Sequence, residues 1–421
     1  MSIKNTLLPL GWLLGMLVLW GGATGCVFST QGSGTENSRA TIRSVPQDAP
    51  WSERMALSIM SRNPEAWMTD FRDTPRWSYT HGLIMMSMQR LWQQSSDERY
   101  WEYAKSYADT MIDAQGRIRD YDITEFNIDH INAGKILFLL YERSGDERYQ
   151  TAIETLREQL RWQPRTTDGG FWHKLRYPWQ MWLDGLYMGS PFLAEYGSRF
   201  DDAEAYKDVV HQLTLMEKHA LDHETGLLRH GYDESRLQQW SDDESGLSPN
   251  VWGRAMGWYA MALVDVLDHL PEQHPGRAGV VAIFDRLATT VTTYQSENGL
   301  WYQVLNMPGK EGNYEEATVS SMFAYALARG VNQGYLDSKH LATAQKAYQG
   351  ILDHLITEEA NGIISLQKCC AVAGLGGNPY RDGTYDYYVN ETVRANDPKG
   401  TGPFILASLE FEKLGLEFER G

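Results

Sequence analysis

The sequence predicts an all-α domain, an (α/α)6 barrel of six helical hairpins with short β-hairpins at one rim. Three observations predict it. Apolar residues recur at helical spacing from about residue 50 almost to the end. A segment of the form S-x-D-E-R-Y occurs in "SSDERYWEYAKSYADTMID" from Ser95 and again in "SGDERYQTAIETLREQL" from Ser144, with a degenerate copy, "FDDAEAYKDVVHQL", from Phe200. Gly-bearing turns followed by apolar residues separate later helices: "GGFWHK" at Gly169, "TGLLRHGYD" at Thr225, "NGLWYQVL" at Asn298 and "NGIISLQ" at Asn361.

Taken in order, the first 26 residues stand apart from this pattern. Lys4 gives a weakly basic start, Leu7 to Trp20 is an apolar run short for a bilayer span, and "GATGC" ends at Cys26. That ending resembles a lipobox, whose Cys is acylated and becomes the mature N-terminus. The expected organisation is a lipoprotein signal peptide over 1–26, a flexible polar tether over 27–49 and a barrel domain over 50–421. Val27 and Phe28 put no Asp after the Cys, so in a Gram-negative host an outer-membrane anchor facing the periplasm or the cell surface is expected; the polar "STQGSGTENS" suits a tether, with membrane contact through the lipid only. Mass spectrometry of the mature N-terminus is expected to show a lipidated Cys26; an unmodified terminus from cleavage elsewhere would remove the anchor.

Twelve helices are expected, near 51–62, 77–94, 97–114, 130–143, 147–161, 184–196, 202–220, 252–270, 277–296, 316–332, 338–356 and 402–415. The repeated S-x-D-E-R-Y supplies a cap and first-turn acids before the helices at 97 and 147. A repeat of about fifty residues is the length of two helices and their loops, so the hairpin is the repeating unit. Uneven loop lengths and aromatic-rich connections favour closure over an open solenoid. In a closed barrel the inner helices start at one rim, and the residues there converge on one pocket.

A formal charge of -17 excludes a nucleic-acid partner. The fifteen Trp and twenty-three Tyr suit a cleft that stacks on ring-shaped ligands. Cys369 and Cys370 are adjacent, match no metal motif, and read as small packed side chains. No nucleotide loop, zinc-protease motif, nucleophile elbow or calcium loop is present; "GLGGNP" at Gly374 lacks the Lys and the strand-to-helix setting of a phosphate loop.

The polar residues that break the apolar pattern sit at expected inner-helix starts. "FNIDHINAGK" places Asp129 and Asn132 on one face, with Lys135 about a turn further on. "QMWLDGLYMGSPFLAEYG" places Asp184 among Trp182, Tyr187 and Met188. Each carboxylate reads equally as a cap or as a catalytic acid. If they interact, their pKa values split and one stays protonated near neutrality. "LRHGYDES" sets His230 beside Tyr232, and "NVWGRAMGWYAM" sets Arg254 between Trp252 and Trp258, an arrangement for a planar carboxylate beside a stacked ring. The chemistry on offer is carboxylate, His, Arg and aromatic, which suits acid/base work on a sugar.

"NIDHINAGK", "WLDGLYMGSPFLAEYG", "GLLRHGYD", "NVWGRAMGWYAMALVDVL", "GLWYQVLNMPGKEGNYEEATVSSMFAYALARGV", "GLGGNPYRDGTYDYYVNE" and "NDPKGTGPFILA" occur in that order. Together they resemble the unsaturated rhamnogalacturonyl hydrolases, glycoside hydrolase family 105, over about residues 50 to 418. The resemblance implies an (α/α)6 barrel acting on oligosaccharides that carry a terminal 4,5-unsaturated uronic acid. It implies hydration of the double bond: a proton to C4, water to C5, then collapse of the hemiketal. It places Asp184 as general acid/base and Asp129 as the second acid. It puts Trp182, Met188, His230, Trp252, Arg254 and Trp258 in the sugar pocket and Thr401 at its rim, and it implies neither metal nor cofactor. A monomer is expected. The rivals are an unsaturated glucuronyl hydrolase of ulvan or glycosaminoglycan fragments, an inverting two-carboxylate hydrolase of saturated glycans, and a non-catalytic glycan-binding lipoprotein.

Overall fold

A computed structural model describes residues 42–421. The expected signal peptide, Cys26 and the tether up to residue 41 lie outside the described residues. Residues 42–49, expected as tether, already pack: Val45 is buried and donates its N–H to Asn361 O at 2.9 Å, and Ser61 Oγ donates to Ile42 O at 2.7 Å. The packed body therefore begins ahead of residue 50. A polar composition did not prevent this, because the segment uses backbone bonds and one buried Val.

The helices are α1 (Trp51–Arg62), α2 (Tyr79–Ser95), α3 (Glu98–Met111), α4 (Lys135–Ser144), α5 (Glu147–Trp162), α6 (Leu183–Phe200), α7 (Ala203–Ala220), α8 (Gly253–Leu267), α9 (Arg277–Thr293), α10 (Ala317–Asn332), α11 (His340–His354), α12 (Tyr385–Val389) and α13 (Pro398–Lys413). The repeat works as its chemistry requires. Asp97, Asp146 and Asp202 are the N-caps of α3, α5 and α7, each accepting from backbone N–H groups of the first turn. Tyr100 and Tyr149 of the repeat are buried against Glu53 and Asp109, to which their hydroxyls donate.

The ring closes. α2 packs on residues 128–134 ahead of α4, that segment packs on α6, α6 on α8, α8 on α10, α10 on α13, and α13 back on α2. Outside lie α3, α5, α7, α9, α11 and α1, against α2, α4, α6, α8, α10 and α13 in turn. Burial follows this division. Every residue of α8 is buried, as an inner helix demands, whereas α9 buries only the stripe Val280, Phe284, Leu287, Ala288 and Val291. The inner helices α2, α4 and α6 pass to their outer neighbours through tight two-residue turns, so length accumulates in the opposite connections. Those longer segments, such as 112–134, 163–182, 221–252 and 355–397, all lead into the N-termini of inner helices. Their hairpins include β1 (Gln180–Trp182) with β2 (Gly231–Asp233), β3 (Ile356–Glu358) with β4 (Ile364–Leu366), and β5 (Cys369–Cys370) with β6 (Val393–Arg394). Gly362, at φ +82°, makes the tight turn of the second of these, where a Cβ would meet the carbonyl of Val45.

Two elements differ from expectation. The helix expected to begin at 130 starts as a 3-10 turn over Ile128–Gly134 before α4 takes over. Tertiary bonds hold it there: Trp77 Nε1 donates to His130 O and Asn132 Nδ2 to Tyr79 O, both at 2.8 Å. Gly82 of α2 lies directly on the backbone of Ala133, leaving no room for a side chain. The short α12 was not anticipated, since one turn offers too little periodicity to read.

Candidate active site

Asp184 stands in the first turn of α6, entered directly from β1. The cap residue of α6 is Trp182, with no side-chain cap bond, so Asp184 is not a capping group. Its Oδ2 lies 3.0 Å from Nε2 of His230, without the alignment of a hydrogen bond. His230 is fully buried, and its Nδ1 is hydrogen-bonded to the Tyr388 hydroxyl at 2.7 Å. The Leu183 N–H donates to His230 O at 3.0 Å, which ties the acid's helix to the residue that carries the imidazole just ahead of β2.

Asp129 is likewise freed from capping, because Asn127 caps the 3-10 turn by accepting from the Asp129 N–H at 3.2 Å. One carboxylate oxygen is paired with Lys174 Nζ, and the other lies 3.4 Å from His173 Nε2. Burial pushes the Asp129 carboxyl upward, but Lys174 and His173 outweigh it and hold the pKa down at about 2. Burial also lowers His173 to about 4, so its ring is neutral at pH 7 although Asp129 pulls the other way. His173 feels both carboxylates, Asp129 more strongly than Asp184. It reaches them because Gly185 has no side chain: a Cβ there would stand 2.9 Å from His173 Nδ1. The two acids are therefore differentiated by separate partners, Lys174 for one and His230 for the other. Mutual repulsion, the splitting expected from sequence, is not among the leading influences on Asp129.

Aromatic rings frame these groups. Trp182 stacks on His173 at 4.4 Å and on Tyr177 at 5.0 Å, and meets His230 edge-on at 5.5 Å. Trp252 lies 4.8 Å from His230 and stacks on Tyr388 at 5.8 Å. The Arg254 guanidinium lies 4.5 Å from the Trp252 ring centre and donates to Cys370 O. Burial disfavours its charge, but the fields of Cys370, Glu316 and Asp397 outweigh that and keep it protonated. Among the described residues it has no ion-pair partner, and its Nε has no acceptor. Cys369 and Cys370 are free and buried, as expected.

Trp258 lies lower in the barrel, stacked on Tyr187 at 4.9 Å and edge-on to Tyr79 at 6.3 Å. Tyr187 in turn carries Lys135 Nζ at 3.6 Å over its ring. Burial lowers this Lys to about 7. Met188, one turn beyond Asp184 on the same face, is buried. Thr401 is placed elsewhere. It bonds back to Asp397 O and lines a separate cavity with Asp70, Phe71 and Asn396. The structure thus brings together Asp184, Trp182, His230 and Trp252, sets Arg254 against Trp252, and places Asp129 beyond His173.

Sequence reasoning missed His173, Lys174 and Tyr388. Lys174 is 45 positions from Asp129 and Tyr388 is 158 from His230, so no local spacing betrays either pair. The one available signal was an adjacent His and Lys in the "GGFWHK" turn.

A family model described as Glycosyl Hydrolase Family 88 matches residues 51–415. The solved structure of a family 105 glycoside hydrolase from C. acetobutylicum ATCC 824 has a TM-score of 0.83 at 43% identity, covering 87% of this chain and 100% of that one. The unsaturated rhamnogalacturonyl hydrolase YesR of Bacillus subtilis (strain 168) is 25% identical over 283 residues, 66% of this chain and 76% of that protein. The unsaturated glucuronyl hydrolase of Bacillus sp. GL1 shares the fold, with a TM-score of 0.64 at 15% identity, covering 86% of this chain and 96% of that one. A closed helical barrel, a differentiated pair of carboxylates at its rim and these likenesses agree: the chain is a glycosidase and belongs to the family 88/105 unsaturated glycuronyl hydrolases.

Proposed function

We propose that the enzyme removes a 4,5-unsaturated galacturonate linked to rhamnose from the non-reducing end of lyase-generated rhamnogalacturonan oligosaccharides. The similarity to YesR and to the family 105 structure supports this choice of uronate and linkage. One observation carries the chemistry: Asp129 is paired with the Lys174 ammonium, while Asp184 stands beside His230 with no Lys or Arg partner among the described residues. The ion pair with Lys174 commits Asp129, whereas Asp184 is left open to a bound substrate. In this reading Asp184 gives its proton to C4 of the enol ether, and positive charge develops at C5. The resulting carboxylate then takes a proton from the water that adds there. Asp129 stabilises the developing charge. The hemiketal opens, and the aglycone leaves as an alcohol.

Arg254 receives the uronate carboxylate, since a buried guanidinium with no carboxylate partner of its own is suited to a ligand's. Arg254→Ala is expected to raise KM with a smaller loss in kcat, at a binding cost of about 2–5 kcal/mol. A collapse of kcat at constant KM would reassign the residue. The decisive experiment follows the loss of ultraviolet absorbance on an unsaturated disaccharide from a rhamnogalacturonan lyase, run in D2O. Deuterium at C4 of the released sugar is expected. Turnover of a saturated analogue, or no label at C4, would restore the two-carboxylate hydrolase. Lipidation at Cys26 would place this activity in the cell envelope.

A further inference from the structure

The turn over residues 172–180 does more than bring His173 and Lys174 to Asp129. Its rings continue outward as a ladder: His173 on Trp182, Trp182 on Tyr177 with 22° between planes, and the Arg176 guanidinium 5.1 Å from the Tyr177 ring centre. A second cation joins it. Arg381 donates to the Tyr177 hydroxyl at 2.9 Å and to the carbonyls of Leu375 and Gly376. The glycines of "GLGGNP" make room for it, since a Cβ on Gly374 would stand 2.7 Å from Arg381 Cζ. Tyr177, Trp182, Trp240 and Leu375 form an apolar cluster separate from the main core, so this corner of the rim is built as a unit.

Charge sets the corner apart. The chain carries a formal -17, and many of its arginines are paired, among them Arg143 with Glu98, Arg148 with Asp146 and Arg165 with Asp208. Among the described residues, neither Arg176 nor Arg381 has a carboxylate partner; every acceptor recorded for Arg381 is neutral. Beside them Trp179 keeps 38% of its surface exposed and Leu175 45%. Trp179 holds a left-handed backbone at φ +67°, an unfavourable state for an aromatic residue, with its ring 4.9 Å from Trp172 and its carbonyl accepting from Glu234 N–H at 3.0 Å.

We propose that Arg176 and Arg381 bind a second carboxylate, that of the next uronate along the oligosaccharide, with Trp179 offering apolar surface to the chain between. The enzyme is then selective for longer acidic fragments over disaccharides. This rests on the reading above of a rhamnogalacturonan substrate, a chain in which uronate and rhamnose alternate. The ladder runs from the pinned Asp129 to the surface, so the second anion is read in continuity with the terminal one. Unpaired guanidinium groups on flat rings suit a carboxylate-bearing sugar chain.

The test compares kcat/KM for the unsaturated tetrasaccharide and disaccharide from a rhamnogalacturonan lyase, at low and high salt, in wild type, Arg176→Ala and Arg381→Gln. Wild type is expected to prefer the tetrasaccharide, and salt is expected to weaken that preference. Arg176→Ala, at an exposed position, is expected to cut the tetrasaccharide-to-disaccharide ratio about fivefold. An unchanged ratio, equal losses on both substrates, or a preference indifferent to salt would overturn the proposal. If neither fragment is turned over while glycosaminoglycan or ulvan fragments are, the rhamnogalacturonan reading falls; the same ratio on those fragments then decides the role of Arg176.

Discussion

Asp184→Asn is expected to fold as the wild type does and to lose about 10²–10⁴-fold or more in kcat, the usual span for one general acid/base. The loss is expected at the upper end because one carboxyl is asked both to give a proton to C4 and to take one from water. Asn keeps the shape and can still sit 3.0 Å from His230 Nε2, but it does neither proton transfer. Binding is expected to survive, since Arg254, Trp182 and Trp252 are untouched. The measurements are kcat from the absorbance decay and affinity for the unsaturated disaccharide by calorimetry. A variant that loses affinity while its kcat is preserved would make Asp184 a binding group and move the acid elsewhere.

Asp129→Asn is expected to have the largest effect on stability. It leaves Lys174, only 11% exposed, without its anion, and removing one partner of a buried pair costs about 3–5 kcal/mol. The double variant Asp129→Asn with Lys174→Met is expected to regain most of that stability without regaining activity, because the anion is still missing. If the double variant is as active as wild type, the pair is structural only. The pH behaviour has a definite sign. With a pKa held at about 2 against a usual 3.8, Asp129 contributes stability that is fully present above the higher value and is lost as pH falls toward the lower. That contribution is about 2 kcal/mol. The stability gap between wild type and Asp129→Asn is therefore expected to shrink over that acid window, measured by denaturant titration at each pH.

The helices were legible because each rests on local signals. Capping aspartates and a buried stripe mark α3, α5 and α7, and all-round apolarity marks α8. Closure was legible only indirectly, from loop lengths and aromatic content. Asp184, Asp129 and Arg254 stood out as candidates because polar residues interrupt an apolar pattern at helix starts, and His230 and Trp252 because they flank such starts; the structure gathers Asp184, His230 and Trp252 and sets Arg254 against Trp252. What the sequence hid is what only the third dimension supplies: the Lys174 that pins Asp129, the Tyr388 behind His230, and the 3-10 start before α4 imposed by Trp77 and Tyr79. Thr401 shows the converse. Its position near an inner-helix start suggested the pocket, but its helical phase turns it toward Phe71 and Asn396.

The ring is closed by α13, which packs on α2, α10 and α1 at once. During synthesis that helix is the last of the set to emerge, so the apolar faces of three helices made earlier have no cover until it follows them. Intermediates with such uncovered surface are prone to associate. Long-range pairing between the first and last helices also raises contact order and slows the final step. Once that step is taken, the beginning and end of the barrel are fastened to each other, and neither can fray without opening the other. A circularly permuted chain that joins α13 to α1 and opens at the tight turn between α6 and α7 would keep every interface of the ring while moving the late-closing seam to a different pair of helices.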